Sequence, residues 1–382
     1  MTYRFDIGFL GGGQLARMSI MAAQRMGFHC LSLDPGRVTP ASQVAPSLEG
    51  ALDDPEKVAH FIHQCQFVTL ENEFIPAQAI RQALIIADRE PGCLTPGLGT
   101  LATIQDKLLQ RQAYLTHGAP SPLAVALEGD FSTAFEQIGF PMVLKARFGG
   151  YDGKGTRYAR NPEEFATHQE LVAGGNWMAE QFVPFTRELA VMVYRSKTQT
   201  GCFPTMETIQ VNHVCDQVFP SGTDASAAAI AAVEAVQGYG LFGVELFETG
   251  SGEFLVNEIA PRPHNTGHYT LDWGGVSQFE QHVRLATGLT CAQPIGQEAC
   301  MANVLGPSAM GATGETGTDW LTRARAALYA AEPAAHLHWY GKEESRPGRK
   351  MAHINAVGPD CRARALRARE AFLAARTQNS PS

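Results

Sequence analysis

The residues best equipped for chemistry lie between Val256 and Thr270, in the stretch VNEIAPRPHNTGHYT. An apolar run ending at Leu255 and Val256 reads as a buried strand. It delivers an amide and an acid, Asn257 and Glu258, and is followed by Arg262, His264, Asn265 and His268. Pro261, Pro263 and Gly267 exclude a regular helix there and predict loop backbone. A second acidic strand, GVELF at 243–247, comes just before, and a turn at Gly250-Ser251-Gly252 would bring Glu245 and Glu258 to one point. Two carboxylates on neighbouring strands suit a magnesium ion that completes its octahedron with phosphate oxygens and water. Arg262 just beyond could grip a small oxyanion as a two-pronged donor. A hairpin with solvated glutamates would also place two acids so, but acid, amide, Arg and His crowded at one strand end weigh against it.

Other segments could hold a nucleotide. Residues 141–145 form a strand from whose end Lys145 emerges, followed by FGGYDGKG at 148–155. Its glycines at 149, 150, 153 and 155 let backbone amides approach phosphate, and Lys154 adds charge. The pattern GxxxxGK[ST] is absent, so this is not a Walker A loop. The strand over 177–183 leads into a Pro-containing link whose exposed backbone polar groups could meet an adenine edge. Glu188, opening the next strand, could take ribose hydroxyls or serve as a surface charge. At the N-terminus, a strand over Phe5–Leu10, GGGQLA at 11–16, a helix to about Met26 and a strand ending at Asp34 fit a dinucleotide fingerprint. Any tight strand-to-helix turn uses the same glycines.

These motifs need elements to position them. A helix over 105–117 carries Asp106 and Lys107, and short strands are expected at 67–70, 177–183, 300–305, 336–340 and 351–357. Helices are expected at 131–138, 224–237, 276–288, 318–329 and 362–376, the last an arginine-rich solvated face. Punctuation at 91–96 (PGCLTP) and at Pro294 marks two boundaries. The chain of 382 residues is long enough for two or three domains, with 45% hydrophobic and 18% charged residues. A net charge of −8 gives no general attraction to nucleic acid or anionic membrane. No apolar run approaches the roughly 20 residues that span a bilayer. The start lacks a cleavable signal, and the eight cysteines, none in a CxxC pair, read as reduced core thiols, so a cytoplasmic protein is expected.

In order along the chain, GGGQLARM (11–18), TLENEFIP (69–76), VLKARFGGYDGKG (143–155), FVPFTREL (182–189), VNEIAPRPHNTGH (256–268), SQFEQH (277–282) and RPGRKMAH (346–353) resemble the ATP-grasp superfamily. More closely they resemble the N5-carboxyaminoimidazole ribonucleotide synthases of purine biosynthesis. The resemblance implies an α/β and α+β chain with an ATP-grasp fold. A Rossmann-like pre-ATP-grasp domain would span 1–95, and the ATP-grasp domain 96–296 with a glycine-rich lid at about 120–182. A small C-terminal β-rich domain would span 297–382, ending in a disordered tail from Thr377 onward.

The resemblance implies ATP-dependent carboxylation of 5-aminoimidazole ribonucleotide by bicarbonate through carboxyphosphate, directly or through released CO2, with Mg2+ or Mn2+, in a homodimer. By it, Lys107, Lys145, Gly150, Gly153, Gly155 and Asn257 hold ATP. Glu180, Gln181, Phe182 and Val183 form the adenine hinge, and Glu188 takes the ribose. Glu245 and Glu258 hold the metal, while Arg262, His264 and Asn265 line the bicarbonate pocket. Gly13, Gln14, Leu15, Glu73, Tyr151, Asp152, Arg346, Arg349 and Lys350 meet the ribonucleotide. Ala16, Lys107, Gln181 and the order Asn72-Glu73-Phe74 depart from the family pattern, and Gln210 and His213 compete for one family position. A formate-dependent glycinamide ribonucleotide transformylase, an NAD(P)-dependent oxidoreductase and a non-catalytic nucleotide-binding regulator are the alternatives.

Overall fold

The computed structural model describes residues 3–150, 155–306 and 319–377. Three sheets organise them. The first is parallel: β1 (Phe5–Leu10), β2 (Cys30–Asp34), β3 (Ser47–Glu49), β4 (Cys65–Leu70) and β5 (Leu94–Thr95), in the order β3-β2-β1-β4-β5. Helices α1 (Gln14–Arg25), α2 (Pro55–Gln64) and α3 (Ala77–Ile86) connect its strands. Ile7, Phe9 and Leu10 of β1 are buried, as expected of a parallel strand covered on both faces. β3, α2 and α3 are additional to the elements expected from the sequence. The start of α2 is nonetheless well specified, because the Asp54 side chain accepts from the Glu56 and Lys57 amides and Pro55 follows it. The strand order reverses between β1 and β4, so their carboxyl ends open a crevice.

After α4 (Leu98–Gln105) and α5 (Lys107–His117) comes an antiparallel sheet of β6 (Ala124–Leu127), β7 (Met142–Ala146), β8 (Thr156–Ala159) and β9 (Trp177–Gln181), ordered β6-β9-β7-β8. It is packed by the short helices α6 (Ser132–Gln137), α7 (Pro162–Ala166) and α8 (Gln169–Val172) around Phe131, Phe140 and Phe165.

The third sheet has nine antiparallel strands: β10 (Phe185–Arg195), β11 (Thr200–Cys202), β12 (Met206–Val211), β13 (Val214–Pro220), β14 (Gly240–Thr249), β15 (Phe254–Ala260), β16 (Ala299–Leu305), β17 (His336–Trp339) and β18 (Lys350–Val357). Helices α9 (Ser226–Ala235) and α10 (Gln278–Ala286) pack on its first part, and α11 (Asp319–Ala331) and α12 (Cys361–Thr377) on its last. β13 pairs with β16 through Gln217↔Ala302, so the strands after residue 297 continue the central sheet. That continuity carries Lys350, at the start of β18, toward the acids of β14 and β15.

Three expectations are corrected. The backbone after Pro263 winds into a 3-10 helix over Asn265–Leu271, because the prolines precede it and remove no bond within it. Cys300 and Cys361, with Cα atoms 5.4 Å apart, are joined as a disulfide, while the other six cysteines are free. The arginine-rich α12 is a clamp rather than a solvated face: Arg364 and Arg367 pair with Glu332, Arg369 with Asp216, and Arg362 lies over the Phe219 ring. Of the tail expected to be disordered, Thr377 closes α12 and residues 378–382 lie outside the described residues. No described helix is long and apolar enough to cross a membrane.

Candidate active site

β14 and β15 form the expected hairpin, and Glu245 stands directly opposite Glu258. The register slips between Glu245 and Leu246, so β15 carries one extra residue there. Such a bulge re-aims side chains, and it explains how two consecutive residues, Asn257 and Glu258, both line one cavity. The cavity measures about 760 Å³ and is walled by all three sheets. Burial, with Glu258 and Glu188 close by, pushes the Glu245 carboxyl up to about 7. Burial also opposes the charge on Glu258, but Lys107 and Lys145 hold its carboxyl below the ordinary value. This oxygen-only pair on facing strands fits a magnesium ion that keeps water and phosphate ligands. Among the described residues no cluster of three or more His, Cys, Asp or Glu could cage a metal without such help.

α5 supplies the opposing charge. Its N-cap, Asp106, accepts from the Leu108 amide and pairs with Arg147 at 2.6 Å. Lys107 and Arg111, four residues apart on one helix face, both reach β15. Lys107 Nζ lies 2.9 Å from Glu258 Oε1. Arg111, 4% exposed, donates to Glu180 Oε2 (2.7 Å) and to the carbonyls of Val256 (2.9 Å) and Asn257 (2.6 Å). Glu180 also receives Lys145 at 2.6 Å, and Lys145 donates to Asn257 Oδ1 at 3.1 Å. The Glu180 carboxylate, placed by resemblance at the adenine hinge, is therefore spent on Arg111 and Lys145. Burial would raise it, but those two cations hold it below the ordinary range. Gln181, Phe182, Val183 and Glu188 line the cavity. Arg111 escapes a motif search because nothing in its local sequence distinguishes it from a surface helix arginine.

Arg262 also differs from expectation. Its fork is taken by Glu73, through Nη2 at 2.8 Å and a close Nε contact, and Nη1 donates to the Pro263 carbonyl. Glu73 is thus an ion-pair partner first, and an incoming oxyanion meets only the remaining N–H groups of Arg262. Beside it, His264 Nδ1 lies 2.9 Å from Thr266 Oγ1 and Nε2 3.8 Å from Glu245. Burial, then Arg262 and Lys350, hold this imidazole well below its usual pKa, so it is neutral. His264 packs so closely on β14 that a Cβ at Gly243 would meet its own Cβ at 2.4 Å. Asn265 is 7% exposed, and its amide meets only the weakly bonding Cys215 thiol.

At the N-terminal crevice, the glycine loop is filled from within. The Gly12 amide donates to Asp34 Oδ2 (2.7 Å), and the Gly13 and Leu15 amides donate to Glu71 (2.8 and 3.3 Å). These carboxylates sit where a pyrophosphate would need to lie, at the start of α1. Gln14 and Leu15 still line the cavity; Gly13 does not, lying behind Glu71. Calorimetric titration with NAD or NADP is expected to show no binding, and micromolar affinity for either would restore the oxidoreductase alternative.

In the basic loop, Lys350 lines the cavity. Arg349 and Arg346 do not: Arg349 donates to the Glu344 carbonyl at 2.9 Å and Arg346 is exposed. Lys342, absent from the sequence expectations, joins them. Burial, then Arg349, Lys350 and Arg346, pull its amine down to about 8, against the pull of Glu71. Gly150 and Gly155 line the cavity, as do both Gln210 and His213. Tyr151, Asp152 and Gly153 lie outside the described residues.

Known proteins match this chain along nearly its whole length. The ribonucleotide synthetase preATP-grasp domain family matches residues 5–105, the ATP-grasp domain family 113–279, and the phosphoribosylaminoimidazole carboxylase C-terminal domain family 299–367. The N5-carboxyaminoimidazole ribonucleotide synthase of Synechococcus elongatus is 39% identical over 364 residues, covering 91% of this chain and 88% of its own. A crystal structure of an N5-carboxyaminoimidazole ribonucleotide synthetase with ADP superposes with a TM-score of 0.84 at 30% identity, covering 99% of each chain. The Aspergillus clavatus enzyme in complex with ADP and 5-aminoimidazole ribonucleotide gives 0.83 at 27% identity, covering 98% of this chain and 99% of that one. With its paired acids, its cationic helix and its three matched domain families, the chain belongs to the N5-carboxyaminoimidazole ribonucleotide synthase family of ATP-grasp enzymes.

Proposed function

We propose that bicarbonate, activated by ATP as carboxyphosphate, is the carboxyl donor in the reaction of this chain. It is an ATP-dependent ligase that carboxylates 5-aminoimidazole ribonucleotide in purine biosynthesis. The observation that carries the reading is a single cavity lined by Lys107, Lys145, Glu245 and Glu258 together with Gln14 from the first sheet's crevice and Lys350 from β18.

Phosphoryl transfer asks chiefly for positioning and charge neutralisation. Lys107 and Lys145 face the polyphosphate, and Asn257 and Glu180 fix Lys145 in place. Glu245 and Glu258 would hold magnesium, which when bound neutralises phosphate charge. A bicarbonate oxygen attacks the γ-phosphorus, ADP departs, and the bicarbonate proton is released. Arg262 and Asn265 offer N–H groups to the new carboxyl, and neutral His264 adds no acid that would break it down. The exocyclic amine of the ribonucleotide then attacks the carboxyl carbon. Phosphate leaves with one bicarbonate oxygen and takes up the amine proton. Excluding water protects the labile mixed anhydride, a task for the glycine loop borne by the four-stranded sheet. Bicarbonate labelled with 18O tests the route: one labelled oxygen should appear in inorganic phosphate, and unlabelled phosphate would rule carboxyphosphate out.

The basic loop is assigned to the ribonucleotide phosphate. A charge-assisted hydrogen bond there is worth about 1.5–3 kcal/mol. Lys350→Ala is therefore expected to raise the KM for the ribonucleotide by about tenfold or more. The KM for ATP should barely move. An ATP shift without a ribonucleotide shift would reassign the loop.

A further inference from the structure

Two histidines of the cavity, His213 and His268, have no task in the scheme above; His213 is exposed, and His268 is buried. His268 lies in the 3-10 helix Asn265–Leu271, is 0% exposed and lines the cavity. Its Nδ1 is 2.8 Å from Gln278 Nε2. The Gln278 amide has a fixed orientation, because its Oε1 accepts from the His264 amide (2.9 Å) and its Nε2 donates to the His264 carbonyl (2.8 Å). Turning it over would set donor against donor and acceptor against acceptor. Gln278 Nε2 therefore donates to His268 Nδ1, which carries no proton, and the neutral ring keeps its proton on Nε2.

The rest of the ring is held. His353 and Phe279 pack against it with centroids 4.8 and 5.5 Å away, and Asn355 donates to its carbonyl at 3.0 Å. Gln278 approaches closely only because residue 267 is Gly, where a Cβ would meet Gln278 Oε1 at 2.5 Å. Nε2 alone has no partner, and the Asn265 amide in the same cavity has no stronger neighbour than the Cys215 thiol. Buried polar atoms left unmade are unfavourable, so a locked donor beside an open amide marks a place for a ligand.

We propose that the Nε2–H of His268, fixed as a donor by Gln278, binds an oxygen of the carboxyl group being transferred, in a small oxyanion subsite shared with Asn265. This rests on bicarbonate being the carboxyl donor. A neutral donor suits the task, since it orients the anion without delivering a proton to it. Burial, with Lys350, His338 and Arg262 near, holds the ring uncharged against the opposing pull of a backbone contact with His264. Gln278 is the positioning residue.

The test titrates bicarbonate at saturating ATP and 5-aminoimidazole ribonucleotide. His268→Phe keeps a ring between His353 and Phe279 but removes the N–H. It should raise the KM for bicarbonate about tenfold or more while the KM for ATP stays within about twofold. A bicarbonate KM within about twofold of the unaltered enzyme overturns the proposal. The tautomer is read on the unaltered enzyme by 15N NMR, with His268 assigned through its contact with the Gln278 amide. An unprotonated Nδ1 and a protonated Nε2 are expected, and a protonated Nδ1 overturns the proposal even if the variant does not fold. Unaltered enzyme whose turnover ignores bicarbonate would instead refute the carboxylation route itself, and that result is read before any variant is made.

Discussion

Glu258→Gln is expected to reduce turnover about a hundredfold or more, a loss of several kcal/mol of transition-state charge neutralisation. Gln keeps the shape of the side chain but removes one of two carboxylates that face each other across β14 and β15. It also removes the anion 2.9 Å from Lys107 Nζ, leaving that lysine without its fixed position. The fold should survive, because the Glu258 side chain is 39% exposed to the cavity and its ion pair adds little stability. Turnover and magnesium dependence measured side by side decide the matter. Near-normal turnover in the Gln variant takes Glu258 out of the proposed metal site.

Arg111→Met is expected to cost about 3 kcal/mol of stability, because removing one member of a buried ion pair leaves the other poorly compensated. Arg111 and Glu180 are 4% and 2% exposed, so solvent screens the pair little. The carbonyls of Val256 and Asn257 lose their donor as well. Turnover should fall beyond what the remaining folded fraction explains, since Glu180 and Asn257 are the two groups that hold Lys145. Denaturant unfolding gives the first quantity, and the KM for ATP at a temperature where the variant is fully folded gives the second. Unchanged stability and unchanged ATP kinetics together would show that Arg111 is not the link between α5, β9 and β15.

Much of the site is legible in the sequence because its chemistry is local. The hairpin of Glu245 and Glu258 follows from two acidic strands and a glycine turn, and Lys145 at a strand end before a glycine loop needs only short-range pattern. What stays hidden is non-local. Glu73 closes on Arg262 across 189 positions, and Glu71 reaches the Gly13 amide across 58. No spacing rule foretells either, and the second turns an apparent dinucleotide loop into an internally capped helix start. The bulge that lets Asn257 and Glu258 share the cavity is likewise invisible to period-two patterning. Lys342 shows its character only once folding sets Arg346, Arg349 and Lys350 around it. In the fold, α2 and α3 are legible in the i, i+3, i+4 spacing of Val58, Phe61 and Ile62 and of Ile80, Ala83 and Leu84, although neither is among the expected elements, whereas the single sheet running from β13 into β16 depends on a pairing between strands far apart in the chain.

The coupling of ATP cleavage to carboxylation is tested most directly by ADP release from the purified enzyme with ATP and magnesium. The rate should rise strongly only when bicarbonate and 5-aminoimidazole ribonucleotide are both present. Stimulation by formate and glycinamide ribonucleotide instead, or a rate indifferent to bicarbonate, would contradict the account.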